Sequence, residues 1–210
     1  MGKLIVIEGL DGSGKSTQTP LLAEELRAQG REVKVISFPD YPSDSSALVR
    51  MYLAGEFGSR PGDVNAYAAS SFYAVDRFAS YAKDWKTFYE RPDTVILATR
   101  YTSSNEIHQL AKLDRDEWDG FVSWAEDFEY GKLGIPRPDM VMYLDMRYDI
   151  AMSLVSQRSE TTGQRRIFTS WTLPIWSAVT RRRLTPSASS AGKTSFVMKK
   201  TSRSAATRSP

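Results

Sequence analysis

The apolar residues fall into a few short unbroken runs, separated by longer stretches in which they recur every three or four positions. Lys3 to Glu8 (Lys-Leu-Ile-Val-Ile-Glu) is the first run. Its β-branched, non-alternating composition predicts a strand buried on both faces. Glu32 to Ser37, Thr94 to Ala98 and Met140 to Asp145 predict three more. Helical spacing covers Lys15 to Gln29 (ended by Gly30), Ser45 to Ala54, Val64 to Glu90, Ser103 to Lys112, Asp116 to Leu133 and Asp149 to Arg158. Gly58 to Gly62 reads as a loop, and Pro136 and Pro138 punctuate the chain before the fourth strand. Pro20 is out of place inside the first helix, where its missing N–H costs a hydrogen bond. Strands alternating with helices predict an α/β fold: a three-layer α/β/α sandwich around a parallel sheet, with the site at the strands' carboxyl ends.

The pattern stops at about Gln164. Beyond it Ser, Thr, Arg, Lys and Pro dominate, and Trp171 and Trp176 stand among polar residues. We divide the chain into one domain, 1–163, and a basic tail, 164–210, not expected to fold natively. Two readings of the tail stand side by side. One is a disordered segment. The other is translation out of frame: the codons for Ile167 to Thr180, read one nucleotide earlier, can spell the acidic, amphipathic string D-I-H-E-L-D-L-A-Y-L-E-R-C-Y. Its second aspartate is forced by the tryptophan codon at Trp171 and the threonine codon after it.

Charge follows the same division. No Asp or Glu occurs after Glu160, so residues 1–160 hold 18 basic against 25 acidic side chains, a net of −7, although the whole chain carries +3. An acidic body argues against a nucleic-acid-binding face. No apolar run is long enough to span a bilayer, and no leader-like segment opens the chain. The absence of cysteine rules out disulfides and fits a cytoplasmic location.

The chemistry is concentrated at Gly9-Leu10-Asp11-Gly12-Ser13-Gly14-Lys15-Ser16, which matches G-x-x-x-x-G-K-[ST] between a predicted strand and helix. Glycines at these positions let backbone N–H groups close around phosphate oxygens. Lys15 reaches the outer phosphates, the Ser16 hydroxyl can ligate Mg²⁺, and the helix start adds positive charge. ATP is the expected donor on a P-loop NTPase scaffold, but the loop alone does not choose between ATPases, GTPases and small-molecule kinases.

The remaining motifs resemble those of thymidylate kinases, in the family's order, over residues 3–163. The phosphate loop, continued by Thr17, is similar to the family's G-x-[DE]-G-x-G-K-[ST]-[ST]. Phe38-Pro39 ends the second strand. Phe72-Tyr73-Ala74-Val75-Asp76-Arg77 resembles F-x-A-x-[DN]-R. Arg100-Tyr101-Thr102-Ser103-Ser104 resembles D-R-[YF]-x-x-S-S, with Gln109 downstream, and Pro138 to Asp145 resembles P-D-x-x-x-x-L-D. The string hidden in the tail's other frame looks like the family's next landmark.

The resemblance implies ATP- and Mg²⁺-dependent phosphorylation of dTMP. Asp11 would bond the acceptor's 3′-hydroxyl, Phe72 would stack on thymine, and Arg77 would bond its edge. Arg100 would clamp the 5′-phosphate, with Phe38, Ser104 and Gln109 completing the dTMP site. Lys15, Arg100 and Arg158 would be catalytic, Arg158 beginning a lid over ATP. A homodimer through the long helix is also implied. Each residue also has a plainer reading: Phe72 as core, Arg77 and Arg100 as surface ion-pair partners, Asp11 as a turn former, His108 as structural, and Trp85, Trp118 and Trp124 as core or interface. Thr99 stands where the family has aspartate, and Asp40 where relatives often have arginine. With the altered tail, these departures predict weak or absent turnover. The other open readings are a different small-molecule or nucleoside kinase, an inactive nucleotide-binding relative, and, least favoured, a nucleic-acid binder through the tail.

Overall fold

A computed structural model of the chain describes residues 1–60, 62–147, 149–151, 153–156 and 195–199. Five strands form one parallel sheet in the order β2-β3-β1-β4-β5: β1 (Lys3–Gly9), β2 (Glu32–Ser37), β3 (Thr94–Thr99), β4 (Met140–Asp145) and β5 (Ser195–Lys199). The first four match the predicted runs. The fifth falls in the segment expected to lack native structure and pairs with β4 from Val141↔Ser195 to Asp145↔Lys199. Both readings of the rest of that segment lie outside the described residues, as does Arg158.

Helices α1 (Lys15–Ala28), α2 (Ala47–Ala54), α3 (Ala66–Ser80), α4 (Lys86–Glu90), α5 (Thr102–Leu110) and α6 (Trp118–Glu126) connect the strands, and a 3₁₀ turn (Asp44–Ser46) leads into α2. Residues 149–151 and 153–156 are also helical. The unbroken apolar runs fill both faces of the sheet because successive strand residues point to opposite sides. Leu4, Val6, Ile96 and Ala98 pack with Trp85 and Tyr89 on one face. Val95 and Leu97 pack with Ala23 of α1 on the other, joined by Ile5 and Val33. This is the α/β/α layering expected of a P-loop fold.

The long helix expected over Val64 to Glu90 is interrupted. The Asn65 side chain caps α3 by accepting the Ala68 N–H at 2.8 Å, but the helix then widens into a π-helical turn at Tyr81–Trp85 before α4. A π turn adds a residue and rotates the helix beyond it. Here Trp85 is fully buried, edge-on to Tyr81 at 4.6 Å and Tyr89 at 5.9 Å. The second long prediction, Asp116 to Leu133, breaks in the same way: α6 passes into a π turn at Asp127–Lys132, and Glu129 is buried there. Pro20 is accommodated within α1, on an exposed position.

Parallel register places the carboxyl ends of β1 to β4 along one edge, with Ile7 beside Thr99, Thr99 beside Ser37, and Gly9 beside Leu144. β1 lies between β3 and β4, which makes this edge the switch point where an open α/β sheet forms its ligand crevice.

Candidate active site

The turn from β1 into α1 is built on backbone conformations that side chains resist. Gly12 has φ +80°, and a Cβ there would stand 2.3 Å from the Ala151 carbonyl oxygen. Gly9 has φ +147°, and its Cβ would meet the Leu144 carbonyl oxygen at 2.9 Å. Gly14 occupies the N-cap of α1 with no side-chain cap, leaving the helix dipole and first-turn N–H groups to serve an anion. The Ser13 hydroxyl is buried without a hydrogen-bond partner among the described residues. The Lys15 ammonium donates to the Gly9 and Leu10 carbonyls, both at 2.8 Å, and lies 4.0 Å from the Asp11 carboxylate. Ser16 and Thr17 are exposed on the first turn of α1. This cradle fits phosphate.

A second cation joins it. Arg100 follows β3 with φ +65°, a conformation that costs a non-glycine residue about 1–3 kcal/mol and persists where its surroundings enforce it. Its N–H donates to the Ile7 carbonyl at 3.1 Å. Its Nη2 donates to the Asp11 carboxylate, and its Nη1 to the Ser104 hydroxyl at 3.0 Å. Burial pushes the Asp11 carboxyl up, but the Arg100 and Lys15 charges together outweigh it and hold the group below its ordinary value. His108, one turn beyond Ser104, is depressed to about 3 by burial first and then by the Arg100 charge, so its imidazole is neutral.

The other expected residues spread over α3, α5 and the loop after β2. Phe72 is half-buried against Phe57 at 5.4 Å and Tyr52 at 6.2 Å, an aromatic cluster rather than deep core. Arg77 is not a surface residue. It is 2 % exposed, and its Nε and Nη2 each donate to a Glu129 oxygen at 2.6 Å. Arg100 is likewise largely covered, at 17 %. Phe38, expected to line the acceptor site, is 4 % exposed and packs on Tyr101 at 5.8 Å. Tyr41, three residues on, is exposed; burial of its hydroxyl end and the nearby Asp11 and Asp76 charges raise that hydroxyl, while Arg100 opposes them. Ser104 and Gln109 are buried on α5. Asp40 donates its backbone N–H to the Asp76 carboxylate at 2.9 Å, and its own carboxyl is raised by burial and by Asp76. The Thr99 hydroxyl shares a hydrogen bond with Thr19 at 3.2 Å.

Sequence reasoning missed four residues here. Glu8, next to the loop, is 1 % exposed and accepts from Tyr101 N–H, Ser103 and Ser104. A carboxylate closing an apolar strand beside a phosphate loop was the signal. Asn105 and Gln109 sit one turn apart; both polar atoms of Asn105 and the Gln109 carbonyl lack hydrogen-bond partners among the described residues. Unsatisfied buried groups of this kind mark places where a ligand or water completes the bonding. Glu129 and Tyr41 gave no signal in their own segments.

Comparison with known proteins agrees with this geometry. A family model described as thymidylate kinase matches residues 7–173. A thymidylate kinase of Mycobacterium tuberculosis is 33 % identical over 163 residues, covering 77 % of this chain and 72 % of the relative. One from Caenorhabditis elegans is 28 % identical over 159 residues, covering 71 % and 66 %. The solved thymidylate kinase of Candida albicans superposes with a TM-score of 0.64 at 20 % identity, over 94 % of this chain and 83 % of that one, and shares the fold. Among the described residues no helix is long and apolar enough to cross a membrane. On its matched length and its identity to these relatives, the chain belongs to the thymidylate kinase family.

Proposed function

We propose that the chain transfers the γ-phosphoryl group of ATP to dTMP, giving ADP and dTDP. The observation that carries this reading is the joining of the phosphate cradle to Arg100 through Asp11. A donor-phosphate site and a second cation suited to phosphate thereby stand side by side at the sheet's switch point. The names of the matched relatives supply the acceptor.

In this reading an oxygen of the acceptor phosphate attacks the γ-phosphorus, a new P–O bond forms, and the bond to ADP breaks. The protein contributes positioning and charge neutralisation. The loop from Gly9 to Thr17 holds ATP, with Lys15 on its outer phosphates. Arg100 presents a planar, permanently charged donor to the dTMP phosphate. Asp11 orients Arg100 and accepts from the sugar hydroxyl. Phe72 offers a ring face to the base, Arg77, fixed by Glu129, and Gln109 serve its polar edges, and Ser104 serves the phosphate through Arg100. Arg158 would close over ATP, as the resemblance implies. Asn105 joins the base site, since its unsatisfied amide can both donate and accept.

Mg²⁺ fits these residues. It is held through few protein oxygens and several phosphate oxygens and waters, and the exposed Ser16 hydroxyl and half-exposed Asp11 carboxylate are of that kind. Bound there, it would neutralise charge on the transferred phosphoryl group. Thr99 offers a hydroxyl where the family has a carboxylate, a weaker ligand for a hard cation or its waters.

We place the activity in the cytoplasm, on the cysteine-free composition, and assign no nucleic-acid or membrane partner to the acidic body. A homodimer through α3 is supported by Tyr67, Val75 and Phe78, exposed apolar residues spaced along that helix. ADP release measured with ATP and Mg²⁺ across dTMP, dUMP, AMP, CMP and GMP tests the function. Stimulation by dTMP above the others is expected. Preference for a purine monophosphate would overturn it.

A further inference from the structure

Glu8 is the last residue before the phosphate loop, and it belongs to none of the motifs assigned to nucleotide binding. Its side chain is 1 % exposed, which a carboxylate tolerates only with compensating donors. It has three, all from the segment after β3. The Tyr101 N–H at 3.3 Å and the Ser103 hydroxyl at 2.7 Å bond one oxygen, and the Ser104 hydroxyl at 2.7 Å bonds the other.

The Ser104 contact has a direction. A hydroxyl has one hydrogen, and an ionised carboxylate can only accept, so Ser104 must donate to Glu8. Its lone pairs are then left for Arg100, whose Nη1 donates to it at 3.0 Å. The other terminal nitrogen, Nη2, is held by Asp11. Glu8 thus fixes the polarity of the hydroxyl that holds one arm of the guanidinium, while Asp11 holds the other. The same carboxylate ties down the first turn of α5 on which Ser104 rides.

We infer that Glu8 is a positioning residue: through Ser104 it sets the Arg100 guanidinium for the acceptor's phosphate. This rests on the reading of Arg100 as the phosphate clamp. Replacing Glu8 by glutamine keeps the size but adds an N–H₂ donor and removes the charge. The Ser104 hydrogen is then free to turn toward Nη1, where it opposes the cation.

The test is calorimetric titration of the full chain with dTMP, thymidine and ATP, in the wild type, Glu8→Gln, Ser104→Ala and the double variant. Each single substitution should raise the Kd for dTMP about tenfold, the scale of one charge-assisted hydrogen bond. Thymidine, which lacks the phosphate, and ATP should bind as before. The double variant should be no weaker for dTMP than the weaker single variant, because both break one linkage. A purely structural role would lower affinity for all three ligands together, and a direct contact of Ser104 with the nucleoside would weaken thymidine too; either result overturns the inference. If Glu8→Gln does not fold, Ser104→Ala decides by the same dTMP-against-thymidine comparison. Unchanged dTMP binding in the variants overturns the inference alone, whereas a wild-type chain that binds ATP but not dTMP overturns the reading of the acceptor site and the inference with it.

Discussion

Arg77 and Glu129 face one another with 2 % of each side chain exposed, and such a pair is worth most to the fold as an intact unit. Arg77→Ala strands a carboxylate in the interior and should cost about 3–5 kcal/mol in urea unfolding. Arg77→Met combined with Glu129→Leu should cost clearly less, because it removes both charges and keeps the volume. Equal losses would show that the pair contributes by packing alone. His108 permits a second test. The fold holds it neutral down to about pH 3, while in the unfolded chain it protonates near its ordinary value of 6.5. Between those limits the unfolded state binds more protons, so stability falls as pH is lowered, by up to about 1.4 kcal/mol per pH unit from this group. His108→Gln should shrink the difference in unfolding free energy between pH 7 and pH 5; an unchanged difference would count against its burial. At this scale the sequence was readable where a residue belonged to a compact motif, as with Asp11 and Lys15. Arg77 and Glu129 are 52 positions apart, and no local pattern announces that they meet.

The strands were legible because a parallel strand needs apolar residues on both faces, and such runs are hard to mistake for anything else at this length. The helices were legible in position but not in continuity. Nothing in Tyr81 to Trp85 or Asp127 to Lys132 forbids ordinary helix, and the π turns arise because tertiary packing draws Trp85 and Glu129 inward. The phosphate loop is the opposite case, since its glycines state the backbone they require. Gly12→Ala places a methyl group against the Ala151 carbonyl in a left-handed conformation. It should weaken ATP binding by about tenfold or more, as a disturbed anion cradle would. Titration with ATP checks this, and near-normal affinity would mean that the loop can re-form around a side chain.

For the molecule as a whole, the α/β/α architecture followed from the order of predicted elements, and the likeness to the solved thymidylate kinase bears it out. The strand at Ser195–Lys199 did not follow, because its segment has neither period clearly. Thr99 is the departure that bears most directly on the proposed chemistry, since its hydroxyl, engaged by Thr19, ends β3 beside Ile7 of β1 and immediately precedes Arg100. Thr99→Asp should raise dTMP-dependent ADP release about tenfold or more, the scale of restoring one charged group in a preorganised site. Equal turnover would mean that a threonine suffices. The central place of β1 also bears on how the protein is made. Its partners are β3, with Leu4 beside Ile96, and β4, with Val6 beside Val141. At translation speeds of about 5–20 residues per second, this central strand waits roughly 5–20 s on the ribosome before its first neighbour exists. The strand that carries the phosphate loop is therefore the one most exposed to sticking elsewhere, and a cell making this protein quickly has most to gain from a chaperone that covers its first ten residues.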